Sequence, residues 1–363
     1  MKKVLILHPA HWEQTMGGAE LQISYLVNML KDKNYEVHFM YEDNGKQISN
    51  VTKLKLHPLK RIKGKNKLGK GWILYRKSIF QKFNEIQPDA IYTRLYSSWS
   101  GFAANYAKQQ SVNHILAVAS DSDLMRVQGK VSLLKPLDVF EKKLVSVAYN
   151  NATYILTQNK IQQELLRKYF NRTGIRINQS TQFCKEDNIK KDNEIIKIIW
   201  IANFKKIKRP ELYVKLVEKF EKIPNINFTM IGRSDEVYNE LIDRAEKISS
   251  FKYLGEMSNP EVNKYLLESH ILINTSDYEG FSNTFVQAWM RKVVVLSMNS
   301  NPDEIISNQQ IGFICPTIEE LSSKIELLVE NKILREDMSN KAYQYAIENH
   351  SIEKNLDKVI SLF

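Results

Sequence analysis

At 363 residues, with 43% hydrophobic and 26% charged side chains, the chain can bury two cores of ordinary domain size, which excludes a disordered or fibrous polymer. Two cysteines, Cys184 and Cys315, are too few for a disulfide framework and fit a reducing compartment. A net charge of +11 points to anionic partners, and nucleic acid is set aside because no base-reading or RNA-binding motif accompanies the charge.

The apolar run at 4–7 is too short for a signal peptide and stops at His8-Pro9, so it reads as a first strand. No stretch approaches the length of a membrane span. A polar loop reaches Gly17-Gly18, and a helix follows in which Leu21, Tyr25, Val27, Met29 and Leu30 fall roughly on one face. Paired glycines let a backbone approach a ligand closely, but the spacing is not G-x-G-x-x-G, so a nicotinamide dehydrogenase has no support. A strand at 36–41 leads into a basic span at 44–84 that holds no Asp or Glu. Its densest part, Lys60 to Lys70 within 53–77, reads as a solvated basic loop, with contact to an anionic membrane surface or a pyrophosphate-linked acceptor as its functional use.

A helix at 73–84, strand at 89–93, helix at 97–108 and strand at 114–118 come next. Asp121-Ser122-Asp123 then spells D-x-D, expected here as a loop facing the acceptor rather than as a metal site. A helix at 137–149, strand at 153–157 and helix at 161–170 complete an alternating pattern that implies a parallel sheet. The polar stretch 171–194 carries the expected interdomain linker at 185–193.

A near-continuous apolar strand at 195–202 opens the second half. The loop Asn203 to Arg209, with Pro210 placed for a first helical turn, combines cations with open helix N–H groups and suits a diphosphate. Strands at 228–231 and 251–254 end at Gly232-Arg233 and Gly255-Glu256-Met257, and a helix at 260–268 follows. The stretch 271–290 then runs strand, polar loop, Glu279, Gly280 and a helix from about Asn283. That order places a carboxylate beside the amides of Phe281, Ser282, Asn283 and Thr284, with Gln287 one turn in. Strands at 293–296 and 312–315, helices at 319–330 and 334–348, and an amphipathic tail at 351–363 end the chain.

The segment EGFSNTFVQAW, Glu279 to Trp289, resembles the E-x7-E signature of family-4 retaining glycosyltransferases of the GT-B fold, with Gln287 at the second acid. Gly17 to Glu20 resembles that family's N-terminal glycine loop. Lys208 matches its diphosphate lysine, while Ala202-Asn203 replace its Gly-Arg. Gly255-Glu256-Met257 is similar to its base-binding turn, and Glu304 matches an acid in a later loop. The resemblance implies an α/β GT-B fold, two Rossmann-like parallel-sheet domains facing across a cleft. An acceptor domain would span 1–188 and a nucleotide-sugar domain 189–347, with the helix at 348–363 crossing back.

It implies a metal-independent, retaining transfer from a UDP- or GDP-sugar to a hydroxyl of a glycan or lipid-linked acceptor, in cell-surface polysaccharide or glycoconjugate synthesis. Donor diphosphate would meet Lys208, the 281–284 amides and Gly17-Gly18, with Asn203, Arg209 and Gly232 close by. Glu279 would take sugar hydroxyls, Gln287 the ribose, Met257 the base, and Asp121 would face the acceptor. The expected location is the cytoplasm, peripheral on the inner face of the cell membrane. The alternatives are a nucleotide-sugar 2-epimerase of the same fold and a non-catalytic nucleotide-sugar-binding subunit.

Overall fold

The computed structural model describes residues 1–49, 52–132, 134–192 and 194–363. Asn50 and Val51, inside the basic span, Leu133, and Asn193, at the end of the expected linker, lie outside the described residues. The chain divides into two compact units, Met1–Gln179 with Glu353–Phe363, and Ser180–Ile352.

In the first unit the elements run β1 (Lys3–Leu7), α1 (Gly18–Asp32), β2 (Glu36–Asp43), β3 (Leu54–Lys60), α2 (Arg76–Ile86), β4 (Ala90–Arg94), α3 (Ser98–Gln110), β5 (Asn113–Ala117), α4 (Asp121–Gln128), α5 (Pro136–Asn151), β6 (Tyr154–Thr157), α6 (Lys160–Phe170) and β7 (Ile175–Arg176). The sheet order is β3-β2-β1-β4-β5-β6-β7, and every neighbouring pair is parallel. Val4, Leu5, Ile6 and Leu7 are buried on both faces of β1, as a strand covered by helices on two sides requires. Strand order reverses between β1 and β4, so the loops after them open at the point where such sheets bind ligands.

Two expectations for this unit change. The basic span is not all loop: 54–60 is an edge strand, paired in parallel with β2 from Val37↔Leu54 to Asp43↔Lys60. Leu54, Leu56 and Leu59 supply its apolar positions, and Pro58 and the lysines are tolerated because an edge strand leaves one row of backbone groups unpaired. Asp121 is also not in a loop. It opens α4, where Ser120 and Asp123 form a capping box.

The second unit runs β8 (Ile196–Ile201), α7 (Pro210–Lys219), β9 (Ile226–Ile231), α8 (Asn239–Glu246), β10 (Phe251–Tyr253), α9 (Asn259–Glu268), β11 (Ile271–Asn274), α10 (Asn283–Trp289), β12 (Val294–Ser297), α11 (Ile305–Asn308), β13 (Gly312–Ile314), α12 (Ile318–Glu330) and α13 (Lys332–Asn349). Its parallel sheet is ordered β10-β9-β8-β11-β12-β13, so the reversal falls between β8 and β11. The strand period of two sorts the core: Ile198 and Trp200 pack with Tyr213 of α7, while Ile199 packs with Phe285 and Trp289 of α10 on the opposite face.

The division falls at Gln179/Ser180 instead of 188/189. The stretch before residue 188 is tied into the second unit: Thr181 N–H donates to His350 O at 3.1 Å, and the Tyr343 hydroxyl donates to Cys184 O at 2.7 Å. Helix α14 (Ile352–Ile360) closes the chain, and Glu353–Phe363 belong to the first unit. There Lys2 Nζ donates to Phe363 O at 2.6 Å and Asn113 Nδ2 to Leu362 O at 3.0 Å. Among the described residues, no helix is long and apolar enough to cross a membrane.

Candidate active site

Strand β11 is apolar until Asn274, and the chain then leaves the sheet through Thr275, Ser276 and Asp277 toward Glu279. Strand β8, its neighbour across the reversal, leaves through the loop 203–209. These two loops close on each other. Asp277 N–H donates to Ile207 O at 2.9 Å, and Thr275 Oγ1 donates to Lys208 O at 2.7 Å while accepting from buried Trp200 Nε1 at 2.9 Å. Arg209 holds Asp277 at 2.9 Å and Glu211 at 2.6 Å, so its fork is engaged within the loops.

That closure brings Lys208 to Glu279, and the two form an ion pair. Their side chains are 22% and 15% exposed, so the pair is sheltered but reachable. Three donors converge on Glu279 Oε1: the Lys208 ammonium, Ser276 Oγ at 2.9 Å and Asn274 Nδ2 at 3.3 Å. The second carboxylate oxygen, Oε2, receives none of these three. Asn299 Nδ2 donates to Ser276 O at 3.2 Å and thereby braces this loop from the segment after β12. In that segment Asp303 and Glu304 both stand in left-handed backbone, at φ 51° and 59°, a local strain of the kind that gathers at binding loops.

The remaining expected residues are placed as follows. Asn203 Oδ1 accepts from Arg233 N–H at 3.1 Å. Gly232 has φ +148°, and a Cβ there would lie 1.7 Å from Ala202 O, so the chain after β9 can cross the end of β8 only as glycine. Phe281 is buried beside Trp289 and His350, which leaves only its backbone to face a ligand. Gly280 lies between Glu279 and Phe281, and Ser282 precedes α10, with its hydroxyl 2.8 Å from that of Thr284. Asn283 is the first residue of α10. Met257, before α9, is packed against the core. Gln287 is buried, and its Nε2 donates to Asn259 Oδ1 at 2.5 Å and Asn263 Oδ1 at 3.0 Å, both on α9. Both amide protons are thus engaged within the unit, and Oε1 is the side of Gln287 left to accept.

Gly17, Gly18 and Asp121 belong to the first unit. Gly17 caps α1 in extended backbone, and a Cβ on it would meet only the movable Glu20 carboxylate. The loop behind it holds buried His8 and His11, whose Nε2 atoms have no hydrogen-bond partner. Burial lowers the pKa of both, to about 4 for His11. Asp121 is buried, and its Oδ1 accepts from Asn159 at 3.0 Å and Gln162 at 2.8 Å, holding α4 to α6. Asp123 Oδ2 accepts from the Ala119 and Ser120 amides at 3.1 and 3.2 Å.

Sequence reasoning missed Asn274, Ser276 and Asn299. The available signal was a polar residue closing an otherwise apolar strand, with a hydroxyl three residues before the key acid.

Residues 182–345 match the family described as glycosyl transferases group 1, and residues 3–159 match glycosyl transferase 4-like. The chain belongs to the group 1 glycosyltransferases. A Staphylococcus aureus poly(ribitol-phosphate) alpha-N-acetylglucosaminyltransferase is 27% identical over 192 residues, which are 50% of this chain and 38% of that protein. Sucrose-phosphate synthase from Thermosynechococcus elongatus superposes with a TM-score of 0.79 over 100% of this chain and 98% of its own, at 13% identity. Anabaena HepE, solved in complex with UDP, superposes at 0.73 over 99% of each chain, also at 13% identity. At such identities the likeness establishes the fold. The two parallel sheets are the GT-B pair, and the Lys208–Glu279 network of this glycosyltransferase lies at the topological switch point of the second.

Proposed function

We propose that this chain transfers a sugar from a UDP- or GDP-sugar to a hydroxyl of a glycan or lipid-linked acceptor, with retention at the anomeric carbon and without a metal ion. The observation that carries the reading is the Lys208–Glu279 pair: a cation and a carboxylate, each suited to one end of a nucleotide sugar, held side by side. A partly exposed ion pair of this kind contributes only about 0–1 kcal/mol, so a ligand with two phosphates can displace it. Lys208 then turns to the diphosphate. Glu279 stays fixed by Ser276 and Asn274, and takes the sugar hydroxyls.

As the anomeric C–O bond breaks, charge builds on the leaving diphosphate. Lys208 and the 281–284 amides stabilise it, in a setting arranged before the reaction begins. The acceptor hydroxyl attacks from the same face, its oxygen bonds to the anomeric carbon, and its proton passes to the leaving phosphate oxygen. Gln287 Oε1 accepts from the ribose, and Met257 flanks the base. Asp121, committed to two buried amides, acts as a positioning group for the loop before α4. The Staphylococcus aureus relative, by its name an N-acetylglucosaminyltransferase on a poly(ribitol-phosphate), and the UDP complex of HepE support an N-acetylhexosaminyl or hexosyl donor and an acceptor of the cell surface. The basic span 53–77 supports a peripheral seat on the inner face of the cell membrane.

Donor turnover in Glu279→Ala and Lys208→Ala tests the reading. Removing either group is expected to slow transfer by about a hundredfold or more. Glu279→Ala acts through the sugar and frees Lys208 from its ion pair, so the affinity for free UDP or GDP holds or rises by up to about fivefold. Lys208→Ala weakens that affinity as well. Near-normal turnover in both variants removes the assignment, and loss of turnover on adding EDTA removes the metal-independent route.

A further inference from the structure

The first unit carries a surface in which apolar side chains stand exposed among lysines. The loop 61–70, just after edge strand β3, lies against the start of α5: Leu137 N–H donates to Leu68 O at 3.0 Å, and Lys70 N–H to Asp138 Oδ1 at 2.6 Å. Lys142 of α5 donates to Gly129 O at 3.0 Å, so the segment after α4 joins the same surface. On it Leu68 is 56% exposed, Leu134 83%, and Val139 and Phe140 each 52%. Val139 and Phe140 follow one another near the start of α5, and each leaves about half of its surface open. Lys63, Lys67, Lys130, Lys135 and Lys143 are exposed around them. Of the two acids in the first turns of α5, Glu141 is buried and accepts from Ser98 N–H, and half-buried Asp138 accepts from Lys70 N–H.

Single exposed apolar residues need no explanation, but several on adjoining segments, rimmed by one sign of charge, mark an interaction surface. The charge excludes a cationic partner. The aliphatic and aromatic tips separate a bilayer from a soluble polyanion, because a polyanion offers them nothing to enter. Lysines at the headgroups and Leu or Phe at the acyl boundary are the two contributions that together hold a protein on a membrane.

We propose that Leu68, Leu134, Val139 and Phe140 insert into the interface of an anionic lipid bilayer while the surrounding lysines engage its headgroups. This deepens the membrane seat suggested by the basic span and moves its centre. Residues 53–77 supply one side of the surface, and the approach to α5, which reads from sequence as an ordinary helix start, supplies the other. No donor-site residue takes part.

Vesicle flotation of the full chain tests the proposal. Wild type is expected to float with mixed phosphatidylglycerol–phosphatidylcholine vesicles and to stay behind with phosphatidylcholine alone. Leu134→Ser with Phe140→Ser should lower the partition by about tenfold or more, and the loss should persist at low salt. Lys67→Gln with Lys135→Gln should lower it by about fivefold per lysine, with the deficit shrinking as salt rises. UDP affinity of each variant, which reports the second unit, and thermal unfolding followed by circular dichroism, which reports the first as well, should both match wild type. Serine variants that float as wild type overturn the proposal, as does equal flotation on neutral vesicles. So does capture by poly(ribitol phosphate) or duplex nucleic acid without vesicle binding. None of these results would touch the donor-site reading, which Glu279→Ala tests separately.

Discussion

The two units offer the same device, a loop leaving a parallel sheet where strand order reverses, yet they finish it differently. In the second unit the loops after β8 and β11 are joined by backbone, hydroxyl and ionic bonds, and the key carboxylate has three donors on one oxygen. In the first unit the loop after β1 ends on Gly17, where the atoms nearest an added Cβ belong to the movable Glu20 carboxylate. It also keeps two buried imidazoles with an unsatisfied nitrogen each. One site is pre-built around a fixed chemical group, and the other leaves room. A ligand of fixed shape suits the first arrangement, and a ligand that must be accommodated suits the second.

The largest expected effect sharpens that contrast through two glycines. Gly232→Ala places a methyl group on the Ala202 carbonyl in backbone that only glycine enters readily, so it should cost more than about 3 kcal/mol and abolish nucleotide binding. Gly17→Ala keeps an extended backbone and needs only Glu20 to swing aside, so it should cost under about 1 kcal/mol. Urea unfolding of both variants, read alongside UDP binding, checks the pair. Equal losses would erase the distinction between a built and a permissive loop. The hundredfold loss of turnover expected for Glu279→Ala ranks next.

Titration separates the units in a third way. Burial raises Glu141 of the first unit to about 7, against the bond it accepts from Ser98 N–H. Between the ordinary carboxyl value and 7 the folded state holds a proton that the unfolded chain has lost. Its contribution is therefore full below about 4.5 and is lost as pH rises to 7, on the order of 3 kcal/mol. Lys191 of the second unit goes the other way. Burial, then Lys292 and Arg335, lower it to about 7, so the unfolded chain holds the extra proton between 7 and the ordinary lysine value, and stability is lost as pH falls through that window. Glu141→Gln should flatten the acid-side slope of Tm, and Lys191→Met the alkaline-side slope. If either substitution leaves its slope intact, the ionisation has been assigned to the wrong group.

How legible these features were depends on the reach of the interaction behind them. The alternation of strands and helices and the loop ending in Glu279 are local patterns, and they read directly from spacing. Strand β3 did not, because its Leu54, Leu56 and Leu59 are interleaved with Lys55, His57, Pro58 and Lys60, and only pairing with β2 reveals it as an edge. The unit boundary was misplaced by nine residues because Thr181 and Cys184 are anchored by His350 and Tyr343, more than 150 residues away, and composition does not register such contacts. The partnership of Lys208 with Glu279 is of the same long-range kind. Each residue was legible alone, and their direct contact was not.

Gln287 gives the smallest effect and the finest division between the two sides of the comparison. At this position an acid would offer the ribose a charge-assisted bond, worth roughly 1 kcal/mol more than the amide. The amide, however, donates to Asn259 and Asn263, which present their oxygens to it. Gln287→Glu therefore forces both asparagine amides to turn over and donate instead, a change of orientation with no change of volume. If the second unit is a pre-built donor site, those turned amides hold the new carboxylate, donor affinity rises about fivefold, and Tm holds. If Gln287 only ties α10 to α9, affinity for UDP stays level while Tm falls. Calorimetric titration of UDP into Gln287→Glu, paired with its thermal unfolding, separates the two outcomes.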